Sequence, residues 1–86
     1  MRIAYKSPAR RALTEELPES VASAAYEFIS GPLKENPWRV GKPLEDPFTG
    51  LHTARRGTYR VIYRIRPDKD LIEIHSIRHR RDVYRA

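Results

Sequence analysis

The 86-residue sequence carries 17 basic and 11 acidic residues, a formal net charge of +6, and no cysteine. A chain of this length holds one hydrophobic core, so we expect a single domain over residues 1–86. The missing cysteines exclude a disulfide scaffold, a thiolate nucleophile and a cysteine metal site. We find no signal peptide and no apolar run of membrane-spanning length, so we predict a cytoplasmic protein with no membrane partner.

The positive charge is confined to the second part of the chain. Residues 1–38 contain five basic and five acidic residues, whereas residues 39–86 contain twelve basic and six acidic residues. A surface that is merely solvated spreads its charge more evenly. The asymmetry predicts that residues 39–86 form a face for an anionic partner, either a nucleic acid or an acidic protein.

The first third of the chain predicts a strand followed by two helices. Polar and apolar residues alternate over residues 2–6, and Ser7-Pro8 is typical of a helix start. Pro18 separates this helix from a second one, whose apolar residues recur at helical spacing from Val21 to Ile29. We expect Gly31-Pro32 to end the second helix.

The rest of the chain changes from helical to strand periodicity. Residues 32–50 form a connector rich in proline and glycine, which we expect Trp38 and Phe48 to anchor to the core. Three strands are predicted beyond it, over residues 51–56, 59–65 and 71–77. The predicted fold is α+β, with two N-terminal helices packed on a twisted antiparallel sheet in the order β-α-α-β-β-β.

Arginines are concentrated on the predicted strands. Residues 55–66 contain five arginines and no acidic residue. The arginines are Arg55, Arg56, Arg60, Arg64 and Arg66. Because strand side chains alternate between faces, Arg60 and Arg64 share one face. Like charges this close repel each other, so the arrangement costs stability unless an anion lies between them. The alternative is a solvated strand face that uses arginine for solubility.

Residues 78–85 combine cations, an imidazole and a phenol. An endoribonuclease that attacks with a 2′-hydroxyl needs a base for that hydroxyl, cations for the charge on phosphate, and an acid for the leaving 5′-oxygen. His79 supplies an imidazole that could accept the proton. Tyr84 could stack on a base. The alternative is a basic tail without chemistry.

The histidines do not predict a metal site. His52, His75 and His79 lack the spacing of metal ligands, so we predict neither a metal ion nor another cofactor. His75 lies in the middle of a strand, which favours a structural role. His52 begins the arginine-rich strand, so it is a candidate at the border of the site.

Three segments together resemble the RelE branch of the RelE/ParE toxin superfamily: Gly41 to Leu44, Gly50 to Ile65 and Ile77 to Tyr84. The resemblance covers essentially the whole chain. It implies a compact α+β toxin that cuts mRNA in the A site of the 70S ribosome. It also implies a cognate RelB-like antitoxin, which we expect to be acidic and helical.

The resemblance also implies roles for individual residues. By motif position, Arg60 matches the arginine that contacts the scissile phosphate, Arg80 the cation that stabilises developing charge, and Tyr84 the tyrosine near the attacking nucleotide. Relatives often carry lysines on the strand that corresponds to residues 51–56, and this sequence has no lysine there. We therefore predict His79 as the general base, with His52 as the second candidate. The further predicted RNA-binding residues are His52, Arg55, Arg56, Arg64, Arg78 and Arg81.

Two other functions are compatible with the predicted fold. A ParE-like toxin inhibits DNA gyrase without catalysis, and it would not need the base, cation and tyrosine of residues 78–85. A catalytically weak nucleic-acid-binding homologue would need stacking aromatic residues on the sheet face. Tyr59 and Tyr63 alternate with arginines and are expected to face the helices instead. The sequence therefore favours the nuclease.

Overall fold

The computed structural model describes residues 1–80, which form one sheet covered on one face by helices. The elements are β1 (Arg2–Tyr5), α1 (Ser7–Arg11), α2 (Glu19–Phe28), α3 (Pro37–Val40), β2 (Lys42–Pro43), β3 (His52–Arg56), β4 (Tyr59–Arg66) and β5 (Leu71–His79). The spatial order of the strands is β1-β5-β4-β3-β2. The α+β prediction is confirmed, but the sheet has five strands and is mixed, because β1 runs parallel to β5.

The first two helices continue into π-helical turns. Residues Ala12–Glu16 extend α1, and residues Ile29–Leu33 extend α2. The prediction that Gly31-Pro32 ends the second helix is wrong, because Gly31 has no positive φ and Pro32 lies inside the π-helical turn. The wider turn accommodates Pro32, which has no N–H to donate. Within residues 1–80, every helix is too short or too polar to cross a lipid bilayer.

The hydrophobic core lies between the helices and the facing side of the sheet. The predicted orientation of Tyr59 and Tyr63 toward the helices is confirmed, because both rings are buried there. The Tyr59 hydroxyl lies 3.3 Å from the carbonyl of Ala24, and the Tyr63 hydroxyl donates to the carbonyl of Pro37 at 2.7 Å. Burial raises the pKa of Tyr63 to about 12, so its hydroxyl remains a donor.

The connector is held by Pro37 and not by its large aromatic side chains. Trp38 is 59% exposed and Phe48 is 57% exposed, so the prediction that they anchor the connector to the core is wrong. Pro37 is buried instead. The Trp38 ring covers the edge of His52 with ring centroids 5.7 Å apart, and His52 stacks on Tyr63 at 5.5 Å.

A β-bulge in β5 decides which of its side chains face the core. β4 pairs with β5 residue by residue except at His75, which has no partner of its own. Before the bulge Ile72 and Ile74 are buried, and after it Ile77 is buried. The bulge thus turns Arg78 to the side of the sheet that faces away from the helices, which we call the open face.

Gly41 permits the close approach of the chain after α3 to β3 and β4. A Cβ at this position would collide with the Tyr63 hydroxyl and would lie 2.7 Å from the carbonyl oxygen of Thr53. We expect Gly41→Ala to lower the free energy of unfolding by about 2 kcal/mol, as overpacking does in cores. Urea denaturation measures this. Gly31→Ala is the control, because a Cβ there meets no atom within 4 Å. Equal unfolding midpoints for the two variants would contradict the prediction.

His52 predicts a pH-dependent contribution to stability. Burial lowers the pKa of its imidazole from the ordinary 6.5. Below about pH 6.5, His52 therefore binds a proton more readily in the unfolded chain than in the folded one. The contribution of His52 to the free energy of unfolding is fully present above that pH and is lost as the pH falls toward the pKa of the folded state. We expect Tm to fall between about pH 7.5 and about pH 5.5. The fall in Tm should be smaller in His52→Phe, which keeps a ring stacked on Tyr63. An equal fall in Tm in this variant and in the unmodified protein would show that His52 does not cause the pH dependence.

Candidate nucleic-acid interface

Three arginines lie side by side on the open face. Arg60 of β4 pairs with Arg55 of β3 on one side and with Arg78 of β5 on the other. Neighbouring strands are about 4.8 Å apart, so the three Cα atoms fall within roughly 10–11 Å of one another. The sheet holds three positive charges at a spacing at which they repel, and a bound anion would relieve that repulsion. We call these residues the arginine row.

The arginine row borders a cleft of about 300 Å³ at the β3–β4 turn. The cleft is lined by Arg55, Gly57, Thr58, Tyr59, Arg60, Arg78 and Arg80. The backbone N–H of Arg80 donates to the carbonyl of Thr58, which ties the end of β5 to this turn. Gly57 has a φ of 53°, a left-handed conformation that glycine adopts readily. Among residues 1–80, four arginines and no carboxylate line the cleft, so it offers a positive site for an anion.

The carboxylates of the described chain do not neutralise the cleft. Glu73 lies further along the open face, where it approaches Lys6 at 3.5 Å and Arg66 at 3.6 Å. The other acidic partners of ion pairs are Asp68 and Asp70, which lie at the β4–β5 turn. Within residues 1–80, none of the four cleft arginines forms an ion pair.

Two of the predicted RNA-binding residues lie on the helix side of the sheet. Arg56 follows Arg55 and therefore points to the opposite face, where its guanidinium lies 4.6 Å from the centre of the Phe28 ring. His52 stacks on Tyr63 on that side, and its lowered pKa leaves the ring neutral at pH 7. The sheet separates both residues from the arginine row.

His79, the predicted general base, is paired with Tyr59 across β4 and β5. This register assigns it to the face opposite Arg60, and it is not among the residues that line the cleft. Its two neighbours in the chain, Arg78 and Arg80, do line the cleft. The predicted site residues Arg81 and Tyr84 lie outside the described residues.

Lys42 is a cation on the open face that sequence analysis did not identify. Lys42 of β2 pairs with Thr53 of β3, and Thr53 is on the same face as Arg55. Lys42 is exposed at the edge of the sheet. A strand of two residues that includes Pro43 shows no periodicity, so no signal in the sequence distinguishes it from the connector. Among residues 1–80, no group of three or more acidic or histidine side chains could hold a metal ion.

Comparison with known proteins gives matches over almost the whole chain. A family model described as the ParE toxin of the type II toxin–antitoxin system parDE matches residues 2–84. Toxin RelE of Mycobacterium tuberculosis is 47% identical over 83 residues, which are 96% of this chain and 84% of the relative. Toxin RelG of the same organism is 42% identical, over 96% of this chain and 94% of that protein.

A solved structure has the same fold. A chain in the crystal structure of the toxin–antitoxin complex RelBE2 from Mycobacterium tuberculosis matches with a TM-score of 0.87 and 40% identity, over 92% of this chain and 96% of that one. The family match and these identities agree with the resemblance found in the sequence. The chain therefore belongs to the RelE/ParE family of toxins of type II toxin–antitoxin systems.

Proposed function

We propose that this toxin is a ribosome-dependent endoribonuclease, which cleaves mRNA in the cytoplasm and so inhibits translation. The observation that carries the proposal is the cleft, which the described part of the chain lines with four arginines and no carboxylate. A phosphodiester suits this cleft, because a guanidinium can donate two parallel hydrogen bonds to phosphate oxygens. The identity to proteins named RelE and RelG supports the same reading.

In the proposed reaction, the 2′-hydroxyl of one nucleotide attacks the adjacent phosphorus. The bond from the 2′-oxygen to phosphorus forms as the 2′-hydroxyl proton passes to the general base, and the bond from phosphorus to the 5′-oxygen breaks as that oxygen takes a proton from water. The products carry a 2′,3′-cyclic phosphate and a 5′-hydroxyl. Arg60, at the centre of the arginine row, contacts the scissile phosphate. Arg80 stabilises the negative charge that develops. Guanidinium groups supply the positive charge, so the proposal requires no metal ion.

We assign the general base and the remaining RNA contacts to residues near the C-terminus. His79 lies in the chain between Arg78 and Arg80, which both line the cleft, and we propose that its imidazole acts as the general base for the attacking hydroxyl. We propose that Tyr84 stacks on a base and that Arg81 contacts the RNA backbone.

The ribosome supplies orientation in this proposal. The cleft residues hold a phosphate by charge, but the lining that the structure describes contains no imidazole or carboxylate to act as the base. Positioning the reacting groups contributes a large part of the rate in reactions of this kind. An mRNA held in the A site of the 70S ribosome would reach the cleft already oriented.

We further propose that a RelB-like antitoxin inhibits this toxin. The structural relative RelBE2 is a toxin–antitoxin complex. An acidic, helical segment that folds on binding would match the charge of the cleft and would compete with mRNA for the same arginines.

The role of the cleft predicts the loss of mRNA cleavage when its cations are removed. We expect Arg60→Ala/Arg80→Ala to reduce cleavage by roughly 100-fold or more, because it removes donors that stabilise the transition state. Primer extension on an abundant mRNA after induced expression measures this through new codon-phased 5′ ends. Arg11→Ala/Arg39→Ala is the matched control: it removes two exposed arginines from helices and should leave cleavage unchanged.

Other outcomes of this experiment separate the alternatives. If the unmodified toxin arrests growth and the mRNA stays intact, the nuclease proposal is wrong and the ParE-like inhibition of DNA gyrase is favoured. His79→Ala tests the base separately: we expect cleavage to slow while RNA binding is retained. Unchanged cleavage by His79→Ala would remove the general-base assignment and leave the role of the arginines intact.

The charge of the cleft also predicts how the antitoxin binds. We expect affinity for the cognate antitoxin to fall as salt concentration rises, because exposed charges are screened. Charge reversal by Arg60→Glu/Arg80→Glu should weaken the complex strongly, as measured by titration calorimetry. Unaltered affinity in this variant would mean that the antitoxin does not cover the cleft.

A further inference from the structure

The open face beyond the cleft holds polar side chains whose hydrogen-bonding capacity is unmet. Four buried polar side-chain atoms in residues 1–80 have no hydrogen-bond partner. Three of them belong to residues along the open face or at its bulge: Thr53 Oγ1, Arg64 Nε and His75 Nε2. Burying a polar atom without a partner costs free energy. These residues therefore give the open face a polar area beyond the cleft.

Arg64 is the charged member of this group. Its neighbour across the strands is Glu73. The carboxylate of Glu73 contacts Lys6, Arg66 and, at 4.0 Å, the His75 imidazole, and Arg64 forms no ion pair within residues 1–80. Gly50, with a φ of 98°, lies against the guanidinium: a Cβ there would be 3.1 Å from Nη2. Arg64 is thus partly buried and packed against Gly50, and within residues 1–80 no carboxylate lies close enough to its guanidinium to form an ion pair, so the guanidinium can bind an external anion.

Arg64 and the arginine row lie at opposite ends of a small platform on the open face. Arg60 and Arg64 are four residues apart on β4, or about 13 Å, which is longer than one phosphodiester step. Between them lies Ile62, which is partly exposed and pairs with Thr53 on one side and with Ser76 on the other. An apolar side chain with a hydroxyl on each side suits the face and the edges of a nucleobase.

We propose that Arg64, Ile62, Thr53 and Ser76 form a subsite for a nucleotide of single-stranded RNA that flanks the scissile phosphate. Arg64 binds a phosphate of the flanking nucleotide, the base packs on Ile62 beside Thr53, and the hydroxyl of Ser76 hydrogen-bonds to the edge of the base. The inference rests on the proposed function in one respect, the position of the scissile phosphate at Arg60.

RNA length separates the subsite from the cleft. The probes are a dinucleotide and a tetranucleotide, each with a 2′-deoxy sugar at the cleavage position and a fluorescent label, and binding to the full-length toxin is followed by anisotropy. We expect the tetranucleotide to bind more tightly than the dinucleotide. Arg64→Gln should weaken tetranucleotide binding by roughly tenfold and leave dinucleotide binding unchanged. It should also reduce the slope of log affinity against log salt by about 0.7 for the tetranucleotide alone.

Matched variants make the test specific. Arg64→Lys keeps the charge and should retain much of the length-dependent affinity, which also guards against misfolding of Arg64→Gln. Arg11→Gln removes an exposed charge from α1 and should alter neither affinity. Arg60→Ala should weaken both probes, because it acts at the cleft.

The outcomes distinguish the subsite from the proposed nuclease. Equal loss of affinity for both probes in Arg64→Gln, or no gain in affinity with length in the unmodified toxin, overturns the subsite even if mRNA cleavage is established. A length-dependent loss in Arg64→Gln supports the subsite as an RNA-binding site even if mRNA in growing cells remains intact.

Discussion

The β-bulge at His75 is the constraint on which the arrangement of the cationic face depends. A regular strand would continue the alternation that buries Ile72 and Ile74, and would turn Arg78 toward the helices and His79 toward the cleft. The extra residue reverses both directions. The core then gains Ile77, and the arginine row gains its third member. One backbone irregularity therefore serves packing and charge placement together, as bulges near functional sites often do.

The arginine row depends on the core beneath it. β4 alternates strictly, with Tyr59, Val61 and Tyr63 buried against the helices while Arg60 and Arg64 occupy the other face. Burial of the apolar face fixes the register, because a slip of one residue would put arginines into the core. The repulsion among the arginines is thus tolerated by a sheet that is stabilised from its opposite side.

Strand alternation accounts for most of what sequence analysis predicted correctly and for several of its errors. It places Arg60 and Arg64 together and Tyr59 toward the helices, which the structure confirms. The same alternation puts Arg55 and Arg56 on opposite faces of the sheet, although both were predicted to bind RNA. The bulge and the two-residue strand β2 could not be predicted, because the first breaks the period and the second is too short to show one. Pairing between strands, a long-range property, brings Arg78 beside Arg60.

In the proposed function, the RNA substrate and the antitoxin both bind the cleft arginines, which form no ion pair within residues 1–80. A cleft with its own carboxylates would be more stable and would bind phosphate weakly, because an internal ion pair must break before an external one can form. Because no carboxylate from residues 1–80 lines the cleft, a partner that supplies negative charge there would gain the full interaction, whether that charge is an RNA phosphate or an antitoxin carboxylate. An acidic antitoxin can then inhibit by occupying the cleft alone, without a change in the fold. In the proposed subsite the same reasoning applies to Arg64, which forms no ion pair within residues 1–80 and would favour a longer RNA over a shorter one.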